Sequence, residues 1–292
     1  MSNSCRACPR SCSADRESGV GYCRMSSTFR VARAALHYWE EPCISGESGS
    51  GTVFFSGCNL KCVFCQNYEV SHGLFGKDIT DERLVEIFEE LIAQGANNIN
   101  LVNPTHYAER LAVLLSEHKP SVPVVYNTGG YETVETIQLL EGKVDIYLTD
   151  LKYFDSAVSE KYSRAADYFE YASAALLEMR RQIPEDIFDE NGIMQKGVIV
   201  RNLILPGNIS QSIKVLDWLS DNLPCETIIS LMSQYTPCGE AENYPPVNRR
   251  ISKREYETVK RHLYSLDFEN VYLQELSSAK EEYIPPFDLT GV

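Results

Sequence analysis

The chain has 292 residues, of which 43% are hydrophobic and 23% charged, a composition typical of a globular protein with a sizeable buried core. Its 27 Lys and Arg against 41 Asp and Glu give a net charge of −14 without a basic block, which argues against an extended nucleic-acid surface. No apolar run approaches the roughly 20 residues that a membrane span needs. Ten cysteines without a secretory signal predict thiols that serve as ligands in a reducing cytoplasm.

Residues 1–50 are predicted to form a cysteine-rich extension of a larger domain at 51–292. The first part of the extension is rich in Ser, Arg and Gly and has no hydrophobic period, so it cannot fold by burial alone. We therefore predict a second metal site that holds it together, with the ligands Cys5, Cys8, Cys12 and Cys23. Four thiolates fit either a zinc site or an auxiliary iron–sulfur cluster. Cys43 stands alone and is interpreted as a structural thiol.

The stretch Gly57 to Gln66 carries three cysteines on a loop just after the apolar strand 52–56. Cys58, Cys62 and Cys65 have the spacing C-x3-C-x2-C. Three thiolates can hold three corners of a cubane iron–sulfur cluster and leave its fourth iron free to bind a small molecule. A zinc site usually needs four ligands in two pairs, and no second pair follows this loop closely.

Six strand-then-helix units follow one another along the chain. The strands are predicted at 52–56, 98–103, 122–126, 144–148, 197–205 and 227–232, and a last short strand at 271–273. The helices are predicted at 80–95, through 111–115, up to about 140, and at 165–182, 212–220 and 252–266. This alternation with mostly short connections predicts an α/β fold, a partial (β/α)6 barrel of parallel strands. In such barrels the reactive groups lie at the carboxyl ends of the strands.

The cysteine loop, with Phe64 before its last cysteine, resembles the signature loop of the radical S-adenosylmethionine (radical SAM) enzymes. A wider resemblance, to the branch related to the pyruvate formate-lyase activating enzyme, covers nearly the whole chain and includes residues 41–46, 57–71, 126–131, 150–153, 201–207 and 232–235. It implies a six-unit partial barrel, a [4Fe-4S] cluster and S-adenosylmethionine. The chain departs from the pattern at Asn103-Pro104-Thr105-His106, where the superfamily often carries Gly-Gly-Glu. Its additional cysteines precede the signature loop, whereas activating enzymes with extra ferredoxin-like clusters insert theirs after it.

The side chains expected to bind the cofactor lie on the signature loop or at strand ends: Phe64, Asn103, His106, Asn127, Asp150, Lys152 and Arg201. Asp150 and Lys152 point to the same face of a strand, and the resemblance implies that this Asp-x-Lys pair helps to bind the cofactor. Arg201 is a guanidinium in an apolar strand that needs a partner, for which the cofactor carboxylate is a candidate. Alternatives are core packing for Phe64, a solvated ion pair for Asp150 with Lys152, and a helix-cap neighbour for His106.

The resemblance implies an oxidoreductase that reductively cleaves S-adenosylmethionine to a 5′-deoxyadenosyl radical, which abstracts hydrogen from a substrate. The substrate is a protein glycine, as for activating enzymes, or a peptide or small metabolite. An electron donor such as flavodoxin or ferredoxin and anaerobic conditions are implied, whereas no nucleic-acid or membrane partner is expected. The alternative class is a non-catalytic iron–sulfur redox protein, which would not need Asp150, Lys152 and Arg201.

Overall fold

The computed structural model describes residues 4–274 and 285–292, in which ten strands and nine α-helices are found. The strands are β1 Phe29–His37, β2 Ser50–Phe55, β3 Lys77–Ile79, β4 Ile99–Val102, β5 Val124–Thr128, β6 Ile146–Asp150, β7 Ile187–Phe188, β8 Met194–Leu203, β9 Ile228–Met232 and β10 Val271–Leu273. The helices are α1 Pro42–Ser45, α2 Tyr68–Ser71, α3 Asp81–Ala93, α4 Ala108–Glu117, α5 Val134–Leu139, α6 Ser156–Ser163, α7 Tyr168–Gln182, α8 Ile209–Asn222 and α9 Lys253–Leu263.

One sheet has the strand order β10-β9-β8-β6-β5-β4-β2-β1-β3. The seven strands from β2 to β10 in this order are parallel neighbours, whereas β1 pairs antiparallel with β2, and β3 antiparallel with β1. The short β7 pairs antiparallel with β8 and lies off this path. The predicted α/β partial barrel of parallel strands is therefore confirmed, together with the added edge strand at 271–273.

The parallel strands are largely buried because both of their faces are covered. All residues of β2, β4 and β5 are buried, with the helices on one face and the barrel interior on the other. Helix α3 shows how the outer layer forms: Thr80 caps it by accepting a hydrogen bond from the Arg83 amide. Its buried stripe is Leu84, Ile87, Phe88 and Leu91, at helical spacing.

The chain between β1 and β2 closes one end of the barrel. Cys43 and Ile44 of α1 pack among inward-facing side chains of the parallel strands, including Val125, Ile146 and Ile199. Residues 29–45, which the sequence analysis placed in the extension, thus contribute β1 and α1 to the sheet and its core.

Residues 4–28 contain no helix and only an isolated bridge between Ser4 and Asp15. Two arginines attach this segment to the barrel: the Arg10 Nε donates to the Asn59 carbonyl at 2.8 Å, and Arg16 donates to the His106 carbonyl. Both acceptors lie in loops after parallel strands, so the segment covers the carboxyl ends of β2 and β4. None of the helices in the described part of the chain is long and apolar enough to cross a membrane.

Candidate active site

A cavity of about 250 Å³ opens in the barrel interior between the signature loop and the carboxyl ends of the strands. The loop contributes Cys62, Phe64 and Cys65 to its lining. The strands contribute Asn127 at β5, Asp150 at β6 and Arg201 on β8, with Lys152 just beyond β6. The structure therefore brings five of the seven predicted cofactor-binding residues together with two of the three loop cysteines.

Each sulfur of the signature loop lies next to a hydrogen-bond donor. The Ser71 hydroxyl donates to Cys65 Sγ at 3.2 Å, and the Leu60 amide donates to Cys58 Sγ at 3.3 Å. The Ser163 hydroxyl lies 3.0 Å from Cys62 Sγ and also contacts the Tyr153 hydroxyl. Such donors stabilise negative charge on sulfur, which is the state in which a cysteine binds a metal.

Burial raises the pKa of the Cys58 thiol to about 12 and that of Cys62 to about 11, with neighbouring loop thiols adding to both shifts. Three thiolates can share this buried loop only when a cationic group such as iron compensates their charge. The donor set therefore fits an iron–sulfur cluster. In residues 4–274 and 285–292, no group of three or more His, Cys, Asp or Glu side chains is arranged around one metal ion. A cubane cluster does not require that arrangement, because each cysteine binds a different iron.

Arg201 lies at the centre of a buried charge network. Its Nε donates to Asp150 Oδ1 at 2.8 Å, its Nη2 to Asn127 Oδ1 at 2.6 Å, and its Nη1 to Glu40 Oε2 at 3.3 Å. The guanidinium thus has three partners within the protein, whereas the sequence analysis named the cofactor carboxylate as its candidate partner. The Lys152 ammonium pairs with Asp150 and also lines the cavity.

The carboxyl groups of this network differ in the direction in which their pKa values are shifted. Burial opposes ionisation of Asp150, but Arg201 and Lys152 offset it, and the pKa of Asp150 lies below its usual value. Burial dominates at Glu40 and raises its pKa in spite of Arg201, and it raises the pKa of the neighbouring Glu41 as well. Asp150 is therefore the carboxylate that keeps a negative charge beside Lys152.

Sequence reasoning missed Glu40, which accepts hydrogen bonds from Asn100 and Asn127 and lines the cavity. It lies on the connection between β1 and α1, outside the repeating strand–helix units, so no periodicity marks it. Two serines that contact the loop sulfurs were missed as well. Ser163 is 101 residues away from Cys62 in sequence, and Ser71 lies on the short helix α2, which no pattern predicts.

Two predicted cofactor-binding residues are not among the side chains that line the cavity. Asn103, in a left-handed conformation with φ +58°, donates to the Gly57 carbonyl. His106 is buried, and its Nε2 lies 2.8 Å from the Ser56 carbonyl oxygen. Both side chains contact the backbone just before Cys58 and so support the signature loop.

Phe64 both lines the cavity and packs in the core. Its ring centroid lies 5.7 Å from that of Tyr235 and 6.4 Å from that of Tyr162, in edge-to-face geometry. Core packing of this ring is therefore confirmed, whereas its contact with a cofactor stays a prediction.

The four N-terminal cysteines lie within residues 4–28, and no three of them are arranged around a single metal ion in the described structure. Cys8 and Cys23 are buried, Cys5 is partly buried and Cys12 is exposed. The sulfurs of Cys12 and Cys23 both lie 3.4 Å from the position that a Cβ on Gly21 would take. All ten cysteines of the chain are free thiols.

The family model described as the radical SAM superfamily matches residues 52–238, more than half of the chain. A curated relative, Uncharacterized protein MJ0674 of Methanocaldococcus jannaschii, is 33% identical in an alignment of 264 residues that covers 87% of this chain and 72% of the relative.

Three solved structures are similar to this chain at low identity. Streptococcus suis SuiB bound to precursor peptide SuiA is 16% identical with a TM-score of 0.49, covering 77% of this chain and 48% of that one. A domain of pyruvate-formate lyase-activating enzyme from Bacteroides vulgatus is 16% identical with a TM-score of 0.36, covering 67% and 91%. The FeFe-hydrogenase maturase HydG from Carboxydothermus hydrogenoformans is 14% identical with a TM-score of 0.44, covering 80% and 56%. The chain thus spans about half the length of SuiB.

Proposed function

Because this chain belongs to the radical SAM superfamily, we propose that it binds a [4Fe-4S] cluster through Cys58, Cys62 and Cys65 and S-adenosylmethionine in the barrel cavity. The observation that carries the proposal is that Cys62 and Cys65 face the same cavity as Asp150, Lys152 and Arg201. A redox protein without a substrate would not need a buried, paired set of charges opposite its cluster.

The chain's own residues would hold the cofactor in one orientation. The cluster and S-adenosylmethionine, when bound, supply the one-electron cleavage of a carbon–sulfur bond that yields the 5′-deoxyadenosyl radical. Lys152 offers N–H donors beyond its contact with Asp150, which suits a carboxylate or hydroxyl of the cofactor. Arg201 is already paired, so its role is to hold Asp150 and Asn127 in place.

We propose further that the enzyme is of the type of the pyruvate formate-lyase activating enzyme and abstracts hydrogen from a protein glycine. The extended sequence resemblance supports this assignment, and Asp150 and Lys152 support the cofactor site that it requires. A peptide or a small metabolite is the alternative substrate. A low-potential donor such as flavodoxin or ferredoxin would supply the electron. The cysteines of the N-terminal segment would hold a second metal, zinc or a second cluster.

The test is anaerobic reconstitution with iron and sulfide, followed by reduction and measurement of 5′-deoxyadenosine. The wild-type protein is expected to produce 5′-deoxyadenosine and methionine, and Cys62→Ala to lose this product because the cluster loses a ligand. Cys225→Ala removes an exposed thiol at the other end of the chain and serves as the matched control. Equal production by wild type and Cys62→Ala would refute the assignment of the cluster site.

A further inference from the structure

The signature loop separates two cavities. Cys62 and Phe64 line the barrel cavity, whereas the alternating residues Lys61 and Val63 line a second cavity of about 400 Å³ on the outer side of the loop. The second cavity is also lined by Tyr22 and Arg24 of the N-terminal segment and by Arg164, which follows the end of α6. This outer cavity is therefore built directly against the proposed cluster, on the face turned away from the cofactor.

The outer cavity is basic although the chain as a whole carries −14 charges. Arg24, Lys61 and Arg164 line it, and the acidic member of the lining, Glu240, accepts a hydrogen bond from the Tyr68 hydroxyl at 2.8 Å. The Lys61 ammonium is buried and has no hydrogen-bond partner within the described residues, although it lies 5.8 Å from the centre of the Tyr22 ring. An anionic group that entered the cavity would supply the missing partner.

A hydrogen-bonded path connects this cavity with a cluster ligand. His72, which lines the cavity, has its Nδ1 2.9 Å from the Ser71 hydroxyl oxygen, and that hydroxyl donates to Cys65 Sγ at 3.2 Å. Ser71 thus links His72, in the lining of the outer cavity, directly to the proposed cluster ligand Cys65.

We propose that the outer basic cavity is the docking site of an acidic one-electron carrier protein, which inserts carboxylate side chains toward Lys61, Arg24 and Arg164. The inference rests on the proposed function, because that function needs one electron per cleavage. Cofactor and substrate occupy the barrel side of the loop, so the donor approaches from the outer side. The carrier is oxidised by one electron, the cluster is reduced by one, and no bond or proton is exchanged. Opposite charges accelerate such an encounter and make it sensitive to salt.

The experiment compares two reductants of the cluster in Arg24→Glu, Arg164→Glu and the double variant. Reduction is followed by the bleaching of cluster absorbance, either with a reduced acidic flavodoxin or with photoreduced 5-deazariboflavin, a small uncharged donor. We expect the flavodoxin-driven rate of the double variant to fall by at least about tenfold and to lose most of its salt dependence. The deazariboflavin-driven rate should stay at the wild-type value. Lys196→Glu makes the same charge change at the amino end of β8, at the other end of the barrel, and should leave both rates unchanged.

A flavodoxin-driven rate within twofold of wild type in the double variant would overturn the docking site. A parallel fall with both reductants would also overturn it, because the variants would then act on the cluster itself. Production of 5′-deoxyadenosine with deazariboflavin tests the proposed function separately: if wild type makes none, the function fails whatever the flavodoxin result.

Discussion

Five ionisable side chains lie in or beside the barrel cavity: Glu40, Glu41, Asp150, Lys152 and Arg201. Buried charges of this density persist only when they are paired, since the removal of one partner leaves the other without compensation. Arg201 contacts Asp150 and Glu40 at once and therefore fixes the position of both carboxyl groups. The network is therefore preorganised, because its internal pairing holds the cavity wall in place before the proposed cofactor enters.

Glu132 is a second buried carboxyl group, outside this network. Its Oε1 accepts hydrogen bonds from the hydroxyls of Thr105 and Thr128, at the ends of β4 and β5, and from Tyr126, whereas its Oε2 has no partner within the described residues. Burial raises the pKa of Glu132 from 4.5 to about 7. The folded state therefore holds this proton more tightly than the unfolded state does.

We predict that Glu132 makes the protein lose stability as the pH rises from about 4.5 to 7. Between these values the folded state keeps the proton and the unfolded state has released it, so ionisation favours unfolding by about 3 kcal/mol in total. Glu132→Gln should remove this component of the pH dependence. Denaturant unfolding of both proteins at pH 4.5 and 8.5 gives the difference, with exposed Glu117→Gln as the control. Parallel pH profiles for wild type and Glu132→Gln would contradict the assignment.

At the scale of elements, the signature loop is held by contacts from several parts of the chain. The Val63 amide donates to the Tyr162 carbonyl at 2.9 Å, and the Glu240 amide donates to the Val63 carbonyl at 2.7 Å. The N-terminal segment contacts the start of the loop at Gly57, which has a φ of +81°. A Cβ there would collide with the Met25 side chain and lie 2.9 Å from the Cys23 carbonyl oxygen. Glycine is thus required both by conformation and by close packing.

Gly57→Ala is expected to lower the free energy of unfolding by about 2 to 4 kcal/mol and to reduce the iron retained after reconstitution. The positive φ alone costs about 1 to 2 kcal/mol, and the collision adds the cost of an overpacked contact. Gly142→Ala separates the two causes, because Gly142 also has a positive φ of +74° but no atom within 4 Å of its Cβ position. Thermal unfolding and iron content of the two variants provide the measurement. Equal losses in Gly57→Ala and Gly142→Ala would show that the contact with the N-terminal segment is unimportant.

The repeating elements could be predicted from the sequence, and the irregular ones could not. Strands β4 and β5 are apolar runs bounded by polar residues, and the residues after their ends converge because parallel strands end at one edge. Strand β1 was missed because it pairs antiparallel with β2 through a bulge, which local pattern does not reveal. Glu40 was missed for the same reason: it reaches the cavity from the connection after β1. Asn103 and His106 follow a strand end as expected, yet they contact the loop backbone.

At the scale of the whole molecule, two layers of irregular chain cover the carboxyl ends of the strands. The signature loop lies directly on the barrel, and the N-terminal segment lies on the loop. Cys23 and Met25 pack into the main core with Leu60 and Cys62, so the two cysteine regions share one hydrophobic cluster. A metal bound by the N-terminal cysteines would therefore stabilise the layer that holds the signature loop in place.

The metal content of the reconstituted protein tests this second site. We predict that it exceeds that of one [4Fe-4S] cluster. About eight irons per chain would identify an auxiliary cluster, and about four irons with one zinc would identify a zinc site.

The double variant Cys5→Ala and Cys8→Ala should return the metal content to that of one cluster. It should also expose residues 4–28 to protease, because this segment contains no helix that could keep it folded. Cleavage of S-adenosylmethionine should persist in this variant, since Cys58, Cys62 and Cys65 lie on a separate loop, which is also held by backbone hydrogen bonds to Tyr162 and Glu240. Cys225→Ala is the matched loss of a thiol and should change neither metal content nor proteolysis. Four irons without zinc in the wild-type protein, together with an unchanged protease pattern in the double variant, would exclude the second site.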